Sequence, residues 1–170
     1  MTQPKRPIIV QKYGGSSLAT PDHVRRVARH IIERKKEDCD LVIVVSAMGK
    51  TTDNLITFAH ELNPNPDRRE MDMLLATGEQ ISIAALALAI EAEGSFKVVS
   101  LTGPQAGIIT DQNHSQARII EIIVDRINLL LKENKIVIVA GFQGVSLNDE
   151  ITTLGRGGSD TTAVALAVAL

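Results

Sequence analysis

Tryptophan is missing from this 170-residue chain, and one tyrosine and three phenylalanines are all its aromatics. Little is therefore available to stack on unpaired bases. Nor is there a basic excess, since 18 Lys and Arg stand against 20 Asp and Glu, for a formal net charge of −2. Both deficits argue against nucleic acid as a partner. The single cysteine, Cys39, excludes an internal disulfide and a cysteine-built zinc cluster, which fits a reducing cytosol. It reads as a small residue near the surface. His23, His30, His60 and His114 show no paired metal spacing, so a histidine metal site is not expected. Long apolar runs are lacking as well: residues 1–7 have no apolar signal-peptide core, and the purest internal run, 81–90, is short for a bilayer span. The chain reads as soluble and cytoplasmic, with no membrane partner, no internal repeat and no low-complexity segment.

What is present is a 44% apolar composition, enough for the core of one domain or part of a larger one. A β-branched run at 8–10 leads through a glycine turn into an amphipathic helix at 24–36. Residues 41–45 form a continuous apolar run, as in a parallel strand covered on both faces. Thr52 or Asp53 starts a helix towards Leu62, and the prolyl turn at 63–67 separates it from a long helix at 70–93. Strands follow at 96–101, at 118–124 and at 136–140, with Asp125 capping a helix to Asn134. One continuous helix from 118 is the alternative. Residues 141–144 break the strand before them. Strands alternating with helices, each strand ending in a glycine or hydroxyl loop, describe an α/β domain whose ligands sit at the carboxyl ends of the strands.

The loops carry the chemistry. Lys12-Tyr13-Gly14-Gly15-Ser16-Ser17 sets an ammonium beside backbone N–H groups, an arrangement suited to phosphate oxygens, although an ordinary loop has the same composition. Gly49-Lys50-Thr51 ends like a P-loop, but the glycine needed five residues earlier is Val44, inside a predicted strand. It reads instead as a second strand-end loop. Glu79 is the one acid between Asp72 and Glu91; it is either a solvated helix residue or, with Gly78 before it, a group that a ligand can approach. Densest of all is Leu154-Gly155-Arg156-Gly157-Gly158-Ser159-Asp160-Thr161-Thr162. Three glycines, a cation, a carboxylate and three hydroxyls suit a small charged ligand, with Arg156 as a planar fork for carboxylate or phosphate. Ser159 and Asp160 as a simple helix cap is the competing reading.

Taken with Val45-Ser46-Ala47-Met48-Gly49, Thr51-Thr52, Gly78-Glu79 and Ala140-Gly141-Phe142-Gln143-Gly144, these motifs closely resemble the aspartate kinases of the amino-acid kinase family. The resemblance runs from Val10 to Leu170. It implies an open, mostly parallel sheet sandwiched between helices, and transfer of the ATP γ-phosphoryl group to the side-chain carboxylate of L-aspartate. The product would be 4-phospho-L-aspartate, the first intermediate towards lysine, threonine and methionine. By the same resemblance Lys12, Gly14, Gly15 and Ser16 hold the ATP phosphates, and Asp160 orients Lys12. Arg156 pairs with the α-carboxylate of aspartate, Glu79 with its α-ammonium, and Thr52 and Ser159 add hydroxyl contacts. Mg²⁺ accompanies ATP without a dedicated metal cage. Residues 1–170 would be the N-terminal part of a catalytic domain, without its remaining segment or the ACT regulatory domains, and the full-length protein would be a homo-oligomer. A non-catalytic binding or interaction module on the same fold, or a kinase of another amino acid, stands as the alternative.

Overall fold

The computed structural model describes residues 6–94 and 96–170. Its central layer is a four-stranded parallel sheet in the order β1 (Ile8–Tyr13), β2 (Asp40–Val45), β6 (Ile136–Ala140), β3 (Val98–Leu101). Successive side chains of a strand point to opposite faces. Here both faces are apolar. Leu41, Ile43 and Val45 of β2, with Ile136, Ile138 and Ala140 of β6, pack against α1 (Pro21–Lys35) and α3 (Arg68–Ala92). Val42, Val44, Val137 and Val139 face the other way, onto α4 (Asp125–Lys132) and α5 (Gly158–Ala169). The sheet is thus sandwiched between helices, which is why β2 and β6 read as unbroken apolar runs.

A second four-stranded sheet lies beside it in the order β5 (Ile119–Ile122), β4 (Ile108–Thr110), β7 (Gln143–Ser146), β8 (Ile151–Thr153). It is mixed: β4 and β7 run parallel, and the outer pairings are antiparallel. Residues 143–144, expected only to break β6, open β7. The signal was masked because Gly141 and Gly144 imitate a plain loop. The remaining helix, α2 (Thr51–Leu62), begins one residue earlier than expected, with Lys50 at its N-cap. Val124, not Asp125, occupies the N-cap of α4, and Asp125 is the acid of its first turn, a position also favoured by the helix dipole.

Cys39 is 2% exposed and belongs to the α1–α3 side of the core. Its expected place near the surface is overturned, because the turn ahead of β2 tucks under α1, where Lys35 Nζ donates to the Cys39 carbonyl at 2.8 Å. Helix α3 incorporates the run 81–90, and at 25 residues it is long and apolar enough to cross a membrane by length and composition. Its packing is that of a core helix, with Asp72 and Glu79 buried among protein groups.

Candidate active site

Parallel pairing brings the carboxyl ends of three strands level, with Tyr13 beside Val45 and Val45 beside Ala140. The backbone ladder continues past the strands: Ser46 N–H donates to Tyr13 O at 3.1 Å and Gly141 N–H to Val45 O at 3.0 Å. The loops after β1 and β2 then touch, Gly49 N–H reaching Gly15 O at 2.9 Å. Glycine is required at position 15. A Cβ there would stand 2.4 Å from the Ala47 carbonyl oxygen, closer than non-bonded atoms allow.

Above these ends lies a cavity of about 390 Å³. Lys12, Gly15, Ser16, Thr52, Glu79, Arg156, Ser159 and Asp160 all line it. Gly14 does not, but it sits directly beneath the Lys12 ammonium, which would be 3.7 Å from a Cβ at that position. The N-terminus of α5 also opens here. Its N-cap is Gly157, in the left-handed region, with no side-chain capping bond. Ser159 and Asp160 therefore do not cap the helix; they occupy its first turn. Asp160 instead pairs through Oδ1 with Lys12 Nζ at 3.0 Å. That ion pair holds the ammonium over the glycine loop, so a cation, a helix N-terminus and strand-end N–H groups surround one space. Such a space favours phosphate.

Glu79 and Arg156 differ from Lys12 in having charge left over. Glu79 is 3% exposed. Its Oε1 accepts the Ala47 N–H at 3.0 Å, while Oε2 is buried with no hydrogen-bond partner. Burial pushes its pKa up from 4.5 to about 7, against the lowering effect of the Ala47 N–H. Gly78, expected to admit a ligand or a backbone, instead lets the protein close on itself, with the side chains of Ala47, Thr51 and Leu55 packed against it. Arg156 is exposed at the cavity wall, and among the described residues it has no carboxylate partner. One cavity thus offers a guanidinium without an anion and a carboxylate oxygen without a donor.

Among the described residues no three His, Cys, Asp or Glu side chains converge.

Ser46, Ala47 and Phe142 also line the cavity; the sequence placed them in its motifs but gave them no role of their own. Each directly follows, or nearly follows, the last residue of a parallel strand, and that position was the available signal. Phe142 takes a left-handed backbone (φ 71°). Its N–H donates to Thr162 Oγ1 at 3.1 Å, and its carbonyl accepts from Leu154 N–H at 2.8 Å. The β6 end, the loop 154–157 and α5 are pinned together there.

The aspartokinase of Geobacillus stearothermophilus is 58% identical over 163 residues, covering 96% of this chain and 40% of the relative. The aspartate kinase structure from Synechocystis superposes with a TM-score of 0.79 at 50% identity, over 95% of this chain and 26% of that one. E. coli aspartokinase III, solved in complex with aspartate and ADP, shares the fold at a TM-score of 0.77 and 21% identity, over 95% of this chain and 46% of its own. This chain therefore spans well under half the length of the curated relatives it matches. The amino acid kinase family model matches residues 7–170. On that match, together with the level strand ends and the phosphate-suited loop that they carry, the chain belongs to the amino acid kinase family.

Proposed function

We propose that this chain carries the amino-acid site and the phosphate loop of an enzyme that transfers the γ-phosphoryl group of ATP to the side-chain carboxylate of L-aspartate. The observation that carries the reading is the pair of unanswered charges in one cavity: Arg156 without an anion and Glu79 Oε2 without a donor. An α-amino acid supplies both missing partners at once, its carboxylate to Arg156 and its ammonium to Glu79. The choice of aspartate among amino acids is supported by the aspartokinase relatives.

The residue types suit the reaction. A free aspartate side chain has a pKa of about 3.9, so it is already a nucleophile at neutral pH and needs no base. One of its oxygens forms a bond to the γ-phosphorus, the bond from that phosphorus to the β-phosphate oxygen breaks, and ADP leaves. The difficulty is bringing two anions together, which positioning and charge neutralisation solve. Lys12, held by Asp160, supplies the neutralising cation, and Gly14, Gly15 and Ser16 supply N–H and hydroxyl donors. Thr52 and Ser159 add hydroxyls to the acceptor. Mg²⁺ bound together with the nucleotide would supply further neutralisation of phosphate charge. The same reading makes residues 1–170 the N-terminal part of a catalytic domain in a cytoplasmic, homo-oligomeric protein.

To test it, the full-length protein is incubated with ATP, Mg²⁺ and an acceptor, and acyl phosphate is trapped with hydroxylamine. Hydroxamate should form with L-aspartate and not with L-glutamate or N-acetyl-L-glutamate. Lys12→Ala should lower kcat by roughly 10²-fold or more, with a smaller change in the aspartate KM. Hydroxamate with glutamate alone would reassign the substrate. Aspartate binding without turnover would instead make the protein a binding module.

A further inference from the structure

Asp72 was passed over in the sequence, yet it is completely buried (0% exposed) and is the meeting point of three chain segments. From β8, Thr153 Oγ1 donates to its Oδ1 at 2.6 Å. From the loop 111–118, Ser115 N–H donates to both oxygens at 3.0 Å, and His114 Nδ1–H donates to Oδ2 at 2.8 Å. Ser115 Oγ reaches Oδ1 at 3.4 Å. The third segment is α3 itself, and Asp72 stands two helical turns before Glu79, on the same face.

The two outer segments both lead to Arg156. Thr153 is the last residue of β8, and the loop 154–157 that carries Arg156 begins immediately after it. Ser115 is a non-glycine residue in the left-handed region (φ 68°), and its carbonyl lies directly under Gly155, where a Cβ would meet it at 3.2 Å. Gly155 itself has φ 77°, so a side chain there would be both strained and crowded. A further bond, Ala117 N–H to Thr153 O at 2.9 Å, ties the loop to the strand. A buried carboxylate is expensive unless donors surround it. Here the donors come from the two segments that support Arg156, while the carboxylate belongs to the helix that carries Glu79.

We propose that Asp72 is a positioning residue for substrate recognition: it fixes Arg156 relative to Glu79, and so sets the span across which an α-carboxylate and an α-ammonium are read. The proposal rests on the aspartate reading of the cavity. Asp72 touches no substrate and acts through Thr153, His114 and Ser115. Loss of its grip widens or blurs the distance between the two recognition charges and leaves the glycine loop after β1, which touches none of the Asp72 cluster, undisturbed.

The test uses the full-length protein with L-aspartate and MgATP as probes, steady-state kinetics for KM and kcat, and calorimetric titration for affinity. Asp72→Asn keeps shape but turns a donor towards the Ser115 N–H. It should raise the aspartate KM roughly tenfold or more while the ATP KM stays within about twofold. Should that variant fail to fold, Thr153→Val removes only one hydroxyl from the cluster and keeps a strand-compatible side chain. It is expected to raise the aspartate KM about threefold or more, again without moving the ATP KM. Equal losses for both ligands, or an unchanged aspartate KM beside a lowered melting temperature, overturn the proposal by reducing Asp72 to a scaffold role. Arg156→Ala is the control. If it leaves aspartate affinity intact, the aspartate reading itself fails; if it abolishes affinity while both cluster variants bind normally, only the positioning role fails.

Discussion

Helix α3 presents two buried carboxylates on one face and treats them in opposite ways. Every oxygen of Asp72 has donors, drawn from β8 and from the loop 111–118. Glu79, two turns on, has one bond from Ala47 and one oxygen without a hydrogen-bond partner. Taking a carboxylate out of water is costly unless its hydrogen bonds are replaced. At Asp72 the fold makes the replacement. At Glu79 it stops halfway, and the deficit appears as a pKa raised by burial to about 7. Burial alone therefore does not distinguish a structural acid from a binding one; the count of donors does. The answered carboxylate holds elements together, and on the proposed reading the half-answered one receives the ammonium of the substrate.

The largest expected effect separates the two directly. In the full-length protein, Glu79→Gln should weaken L-aspartate binding by roughly 10²-fold, as expected for truncating one partner of a buried charge pair, with ATP affinity unchanged. Its stability at pH 8 should not fall. Asp72→Asn should instead cost about 3 kcal/mol of stability, since it breaks a buried network. Calorimetric titration and denaturant melts measure both. If the two variants lose binding and stability alike, the contrast between the carboxylates is wrong.

Much of this was legible before the structure. The strand-end loops, Lys12, Glu79 and Arg156 stood out because glycines and isolated charges next to apolar runs break a pattern; that the three charges share one site was implied by the family resemblance. Hidden features were those whose meaning is a partner far along the chain. Asp72 reads as one more acid in the first turns of a helix, and nothing local announces that Thr153 and Ser115 come to meet it. The second sheet was obscured for a similar reason, because β4 and β7 are each four residues or shorter and too short to show alternation. Cys39 was misplaced because burial of a turn depends on how α1 crosses it. That crossing is a tertiary fact.

A smaller effect sharpens the contrast through pH. If Glu79 must be ionised to hold an ammonium, aspartate affinity should fall about tenfold for each pH unit below 7 and level off above it. Glu79→Gln should flatten that dependence. Stability carries the opposite sign. Because the folded pKa of about 7 lies above the ordinary 4.5, this group's contribution is fully present below pH 4.5 and is lost as pH rises through 7. Wild type should therefore lose about 3 kcal/mol relative to Glu79→Gln between those limits. Denaturant melts at a series of pH values read the difference. A gap that does not change with pH would place Glu79 in contact with water and remove it from the recognition pair.

Asp160 gives the smallest expected effect and tests whether donor count or exposure governs the outcome. Its carboxylate pairs with Lys12 at 3.0 Å, but its side chain is 70% exposed, so water already answers most of its charge. An exposed ion pair contributes between zero and about 1 kcal/mol, and its place in the first turn of α5 adds a few tenths more from the helix dipole. Asp160→Asn keeps an oxygen for Lys12 to donate to and removes only the charge that holds the ammonium in place. Stability should drop by less than about 1 kcal/mol, while kcat falls roughly fivefold as Lys12 loses its fixed position over the phosphate loop. The aspartate KM should stay near that of the wild type, because Glu79 and Arg156 are untouched. A stability loss as large as that of Asp72→Asn would show that Asp160 is structural despite its exposure. An unchanged kcat would leave Lys12 positioned by the β1 backbone alone, with no need for its carboxylate partner.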